Sequence, residues 1–234
     1  MKGKKVGKII VIEGGDSSGK EVQSKLLYKK VKNIGYPVKF FEFPQYSRFV
    51  GKVVGRYLRG EFGSVFEINP WLAAFPFALD RFDSKEKLLT WLKNGNILIL
   101  NRYVGSNLGY MPAKLPEAKR PHFTRWLEEF EYQSLGLPKE DISLFLNVSA
   151  KVGQSLTYQK DEKAYMKGLG RGDIHERDLK YLENANKQFL WLTKHRRRWV
   201  RVDCMRDSKS LRPINDIHRH ILDILAKRKI LTLS

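Results

Sequence analysis

The chain has 234 residues, 42 % hydrophobic and 29 % charged, with a formal net charge of +19. Length and balance fit one soluble domain over residues 1–234, and no stretch approaches the roughly 20 apolar residues of a membrane span. The single cysteine, Cys204, excludes an internal disulfide and fits a reducing cytoplasm; as a small apolar residue it reads as the buried end of a strand. The basic start MKGKKVGK is followed by an apolar run too short for a signal peptide.

A pI near 9.9 favours polyanions such as nucleotides, nucleic acid, polyphosphate or an anionic surface. Lys and Arg are nonetheless spread along the chain, clustering only at Lys2–Lys8, His195–Arg201 and Lys227–Lys229. There is no zinc-ligand spacing and no RNA-binding aromatic signature, so nucleic acid is not an expected partner.

In chain order, Ile9–Ile12 reads as a short buried strand, and Val22, Leu26, Leu27, Tyr28 and Val31 recur at helical spacing behind it. Between them lies Gly14-Gly15-Asp16-Ser17-Ser18-Gly19-Lys20. Strand, glycine turn and helix is the context in which G-x-x-x-x-G-K means a phosphate-binding loop. Glycines let the backbone wrap an anion, N–H groups point inward, and the helix N-terminus adds partial positive charge. Lys20 would reach the terminal phosphates. The hydroxyl residue that should follow it is absent: Glu21 and Val22 stand there.

Val38–Phe43 predicts a second strand, Phe49–Leu58 a short helix, and Ile68–Lys93 one long helix bent at Pro76. Ile97–Leu100 is a third strand ending at Asn101-Arg102-Tyr103. Helices follow near Ser106–Tyr110 and over Arg120–Ser134, then a strand at Ile142–Val148 and a helix at Lys151–Tyr158. Gln159–Gly172 is polar and without hydrophobic period. Asp173 opens a long helix to about Lys194, Trp199–Cys204 is the last strand, and Pro213–Lys229 the closing helix. Apolar strands alternating with helices predict an α/β fold, a parallel five-stranded sheet covered on both faces. Ligands bind beyond the carboxyl ends of such strands, where Gly14–Lys20, Phe43–Tyr46 and Asn101–Tyr103 fall.

Five motifs in order make the chain resemble the thymidylate kinase family of P-loop nucleoside monophosphate kinases. They are Glu13-Gly14-x-Asp16-x-x-Gly19-Lys20, Phe43-Pro44-x-Tyr46, Phe77-Ala78-x-Asp80-Arg81, Asn101-Arg102-Tyr103-x-x-Ser106 and Asp173-x-x-Glu176. The resemblance implies ATP-dependent phosphoryl transfer to dTMP with Mg²⁺, a lid at about residues 159–173, and a cytoplasmic homodimer packed through long helices. By resemblance, ATP is bound by Gly14, Gly15, Asp16, Ser17, Ser18, Gly19, Lys20, Glu21 and Val22. Phe43, Tyr46, Phe77, Arg81, Arg102, Ser106, Asn107 and Tyr110 then surround dTMP. Phe77 would stack on the base while Arg81 and Asn107 bond its edge, and Tyr110 would discourage a ribonucleotide. Lys20, Asp16, Arg102 and the lid residue Arg171 form the catalytic set, with Asp16 near the metal. Phosphoryl transfer needs alignment and charge neutralisation more than a dedicated base.

The chain departs from the family pattern at Glu21, Asn101, Gln45, Met111 and Asn147. Two carboxylates and a hydroxyl near magnesium are thereby lost, while Asp16 remains and Glu21 adds a carboxylate. These departures keep open a related nucleotide or polyphosphate phosphotransferase, or a nucleotide-binding protein with a degenerate magnesium site. Asp173 and Glu176 also have the spacing of a capping box, and His175 reads as a surface or core residue.

Overall fold

Four successive branched residues, Ile9–Ile12, can be hidden only in a strand covered on both faces. A computed structural model of the chain, describing residues 7–159, 161, 163–168 and 172–232, has them there. Strand β1 (Lys8–Gly14) is central in a five-stranded parallel sheet of order β2-β3-β1-β4-β5. The others are β2 (Val38–Glu42), β3 (Ile97–Asn101), β4 (Ile142–Asn147) and β5 (Trp199–Asp203). Successive side chains of a strand leave opposite faces. Ile9 and Val11 therefore enter one core with Leu98, Leu100 and Phe145, and Ile10 and Ile12 another with Ile99 and Leu144.

The second core is closed by α1 (Lys20–Asn33) and α9 (Ile214–Lys227) through Leu27, Val31, Ile217 and Ile221. The first is closed by α2 (Phe49–Leu58), α3 (Pro70–Phe82), α4 (Lys85–Lys93), α5 (Val104–Tyr110), α6 (Arg120–Glu128) and α8 (Leu179–His195). A further helix, α7 (Ala150–Tyr158), leads into the polar segment before α8. Ile12 and Glu42 both pair with Asn101, so β2 and β3 end level while β1 runs two residues further, to Gly14, alongside β4. From β1 the chain builds β2 and β3 on one side, then crosses to β4 and β5 on the other. The crevice above β1 is the switch point where open α/β sheets take ligands.

Three elements differ from expectation. The stretch 68–93 is two helices, and the break falls at Asp83 and Ser84 while Pro76 stays inside α3. Pro76 has no N–H to give the Leu72 carbonyl, but α3 continues through it to Phe82. Residues 120–134 run as α6 and then a π-helical turn, Glu129–Ser134. Asp173 does not open the long helix; Asp178 caps α8 by accepting from the Tyr181 N–H at 2.8 Å. Asp173 and Glu176 instead close a turn of their own. Asp173 Oδ1 accepts from His175 and Glu176 N–H at 2.9 and 3.1 Å, and Glu176 Oε2 accepts from Asp173 N–H at 3.0 Å. The capping-box chemistry is present without the helix. Cys204 is buried just past β5, as expected.

Gly109 lets α5 lie directly against α8: a β-carbon there would stand 2.2 Å from Phe189 Cζ. Phe189 is 1 % exposed and stacked on Phe145 at 4.9 Å, so it cannot yield. Gly109→Ala is expected to destabilise the fold by about 3 kcal/mol, a fall in Tm of roughly 6–12 °C. An unchanged melting curve would contradict this packing.

Candidate active site

The turn after β1 is shaped for an anion. Gly14 has φ +157° and its β-carbon would meet Ser18 Oγ at 2.7 Å, while Gly19 enters α1 in the left-handed conformation at φ +86°. Ser18 N–H bonds Gly15 O at 3.3 Å, but the N–H groups of Asp16, Ser17, Gly19 and Lys20 meet no acceptor among the described residues. A row of free N–H groups on a concave turn is the pattern that binds anions. The Lys20 ammonium, 7 % exposed, curls back onto Gly15 O. Burial and the Arg102 charge push its pKa down to about 7, against the opposing pull of Asp16.

Arg102, the first residue after β3, has φ +65°, a conformation few non-glycine residues adopt. Its N–H bonds Ile12 O at 3.1 Å, and its Nη2 donates to Asp16 Oδ1. Burial raises the Asp16 carboxyl, but the charges of Lys163, Arg102 and Lys20 outweigh it and hold it well below the usual carboxylate range. The guanidinium also sits 5.7 Å from the Tyr110 ring centroid.

From this charged floor a cavity of about 540 Å³ extends past Phe43, Tyr46 and Ser106 to Phe77, Arg81, Asn107, Tyr110 and Met111. Its phosphate-loop end is formed by Asp16, Ser17, Gly19, Lys20, Glu21 and Val22. Gly15 lines a small neighbouring recess of about 30 Å³. Gly14 and Ser18 lie outside both walls, and Ser18 is buried behind the loop. Phe77 meets Tyr57 edge-on at 5.6 Å. The Tyr110 hydroxyl is buried and faces the Arg102 guanidinium.

The thymidylate kinase family model matches residues 12–221. The chain belongs to the thymidylate kinase family. It is 31 % identical to thymidylate kinase of Mycobacterium tuberculosis (strain ATCC 25618 / H37Rv) over 79 % of this chain and 85 % of that one. It is 29 % identical to thymidylate kinase of Plasmodium falciparum (isolate 3D7), covering 97 % of this chain and 93 % of that one. A solved structure of thymidylate kinase from Candida albicans superposes with a TM-score of 0.68 at 24 % identity, covering 96 % and 93 % of the two chains. This last likeness carries the fold, that of a P-loop kinase. The protein is accordingly a nucleoside monophosphate kinase.

A thymidylate kinase must neutralise phosphate charge, and the cavity has a cation that the sequence reading missed. Lys163 Nζ lies 2.7 Å from Glu176 Oε1 and 3.8 Å from both Asp16 Oδ1 and Asp173 Oδ2. Two residues on, Tyr165 donates to Asp173 Oδ2 at 2.7 Å and stacks on Tyr46 at 4.4 Å. Lys163 and Tyr165 therefore lie over the Tyr46 side of the cavity. Tyr165 and Met166, the latter 1 % exposed, were the legible sign of packing in an otherwise hydrophilic stretch. The expected lid arginine, Arg171, lies outside the described residues. His175 is core: it is buried, paired with Tyr57 Oη at 2.9 Å, and burial lowers its pKa to about 4.

Two expected contributions change. Glu21 does not bring its carboxylate to the loop, because it is 64 % exposed and paired with Lys25 one turn along α1. Ser106 lines the cavity but donates its hydroxyl to Glu13 Oε2 at 2.8 Å. Gln45 is not in the wall; its N–H fixes Asp80 Oδ2 at 3.0 Å.

Among the described residues no cluster of three His, Cys, Asp or Glu could hold a metal unaided. The donors present are the Asp16 carboxylate and Asn101 Oδ1, which is buried without a partner. Mg²⁺ commonly takes one or two protein oxygens and completes its shell with phosphate and water, so this donor set fits it once a nucleotide is bound.

Glu13 ties the loop to α5. It is fully buried and accepts from the Tyr103 N–H and from Ser106 Oγ, each at 2.8 Å. Burial pushes its pKa from 4.5 up to about 7, partly offset by Ser106 and Arg102. Between those values the folded protein keeps a proton that the unfolded chain has released, so this group makes stability fall as pH rises and leaves it flat above. Relative to Glu13→Gln, the wild type is expected to lose roughly 3 kcal/mol between pH 4.5 and 7.5. Urea denaturation across that range measures it; parallel pH profiles for the two proteins would contradict the buried carboxyl.

Proposed function

We propose that this chain transfers the terminal phosphoryl group of ATP to dTMP, giving dTDP. The observation that carries the reading is the continuity of one cavity, from unpaired loop amides and Lys20 at one end to an aromatic slot with Arg81 and Asn107 at the other. Lys20 and the amides of residues 15–20 grip the phosphates of ATP. Arg102 exchanges Asp16 for the acceptor phosphate, and Phe77 stacks on the thymine. Tyr110 lies against the deoxyribose, where its ring leaves no room for a 2′-OH.

The acceptor phosphate is already ionised near neutral pH, so the chain needs no general base. Lys163 swings from Asp16, Asp173 and Glu176 onto the transferring group, where Arg171 joins it, and Tyr165 closes over Tyr46 to exclude water. Asp16 and Asn101 would hold Mg²⁺, which supplies charge neutralisation on the phosphates when bound. A homodimer is supported by the apolar stripe on α3, where Leu72, Leu79 and Phe82 are 65, 41 and 44 % exposed. The residues form one cytoplasmic unit; no helix among the described residues is long and apolar enough to cross a membrane.

Exposed Glu21, and Asn101 in place of a carboxylate, favour a second reading as a related phosphotransferase or a binding protein with a decayed metal site. ADP release with dTMP, dGMP and UMP as acceptors separates them: dominant turnover of dTMP is expected, and dominant turnover of another acceptor, or none, would reject the first reading. Lys20→Ala is expected to lower kcat at least ~10³-fold while the melting curve is kept. Lys163→Gln should lower kcat about 10–100-fold with little change in KM for dTMP. An unaltered kcat would remove Lys163 from the transfer step.

A further inference from the structure

Arg81 and Asn107 are held by a third residue that no motif marks. Glu131, 0 % exposed, accepts from Arg81 Nε at 2.6 Å and Nη2 at 2.7 Å, and from Asn107 Nδ2 at 2.8 Å. The other bond of Asn107 Nδ2 goes to the Ala74 carbonyl at 3.1 Å. Both neighbours of that amide are pure acceptors, so its orientation is chemically fixed and cannot be flipped. With its NH₂ group occupied, Asn107 offers the cavity only Oδ1, an acceptor. With Nε and Nη2 engaged, Arg81 retains Nη1, a donor that has no partner among the described residues. Both residues line the slot that also holds Phe77 and Tyr110. Glu131 reaches them from the π-helical turn Glu129–Ser134, a local irregularity frequent at functional sites.

We infer that Glu131 is a positioning residue that sets acceptor-base selectivity, locking Arg81 and Asn107 into one donor beside one acceptor. The inference rests on dTMP as acceptor and adds the cause of the choice. Thymine presents a carbonyl at C4 and an N–H at N3, complementary to that pair. A cytosine edge presents an amino group and a bare nitrogen, which set donor against donor and acceptor against acceptor. Removing the Glu131 carboxylate frees the Asn107 amide to rotate and the guanidinium to tilt. Uracil shares the thymine edge, so this device does not reject dUMP, which differs by one methyl group worth about tenfold or somewhat more.

The test compares dTMP with 5-methyl-dCMP, which differ only along this edge. Wild-type kcat/KM is expected to favour dTMP by at least ~10³-fold, as sites built around buried hydrogen bonds do. In Glu131→Gln the ratio should narrow at least tenfold, and kcat/KM for 5-methyl-dCMP should rise above the wild-type value. A merely structural defect would lower both substrates together. A folded variant with an unmoved ratio would overturn the role of Glu131 while leaving dTMP kinase activity intact. Glu131→Asp, which keeps the charge but withdraws the carboxylate by one methylene, should move the ratio the same way if the glutamine variant does not fold. A wild-type ratio below tenfold would overturn the fixed edge without any variant, and failure to use dTMP at all would overturn both the inference and the reading beneath it.

Discussion

The ion pair between Arg102 and Asp16 is the interaction on which the rest depends. It joins the end of β3 to the phosphate loop after β1, and it gathers Lys20 and Lys163 around one carboxylate. Charges this poorly solvated are tolerated only when each finds a partner, and removing one partner strands the other. Here the partners are incomplete: Lys20 is left on a carbonyl, and four loop N–H groups have no acceptor among the described residues. A chain of phosphates supplies what is lacking. The same deficit of partners makes the site selective for a polyanion.

The sheet exists, in this sense, to hold that pair in place. Register ends β2 and β3 level with Ile12 of β1, so that Glu42, Arg102 and the loop that follows Gly14 emerge at the same edge of the sheet. Glu13 then links the loop to α5, and α5 presents Asn107 and Tyr110 to the same space. Lys163, Tyr165, Asp173 and Glu176 form a second polar cluster above it, closed by an aromatic stack on Tyr46. Burial and the neighbouring Asp16 and Asp173 raise Glu176 to about 7, so this upper cluster is itself crowded with acid groups. Lys163 is the cation that offsets them.

Much of this was legible in the sequence because the strands are buried on both faces and leave unbroken apolar runs. Ile9–Ile12 and Ile97–Leu100 declare a parallel sheet, and Gly14–Lys20 declares what stands at its end. The misses have a common physical origin: each turns on which partner a residue meets in the folded chain, which the local pattern does not name. The stretch 68–93 reads as one helix until the break at Asp83 and Ser84 is seen. Lys163 is one lysine among several in a polar run until Asp16 and Glu176 are brought beside it. Glu21 looks like a metal ligand beside the loop until its pairing with Lys25 is seen. Glu131 did leave a trace, since it follows Phe123 and Leu127 at four-residue intervals along the buried stripe of its helix. A carboxylate on an apolar stripe announces a buried cation, and Arg81 is that cation.

The most direct measurement is a crystal structure of the protein with a bisubstrate nucleotide in which adenosine and thymidine are joined by a chain of phosphates. The phosphates are expected to run along the amides of residues 16–20 to Arg102, with thymine in the slot beside Phe77 and with Arg102 and Lys163 drawn off Asp16. A phosphate loop left empty, or a thymidine bound away from Phe77, Arg81 and Asn107, would contradict the account.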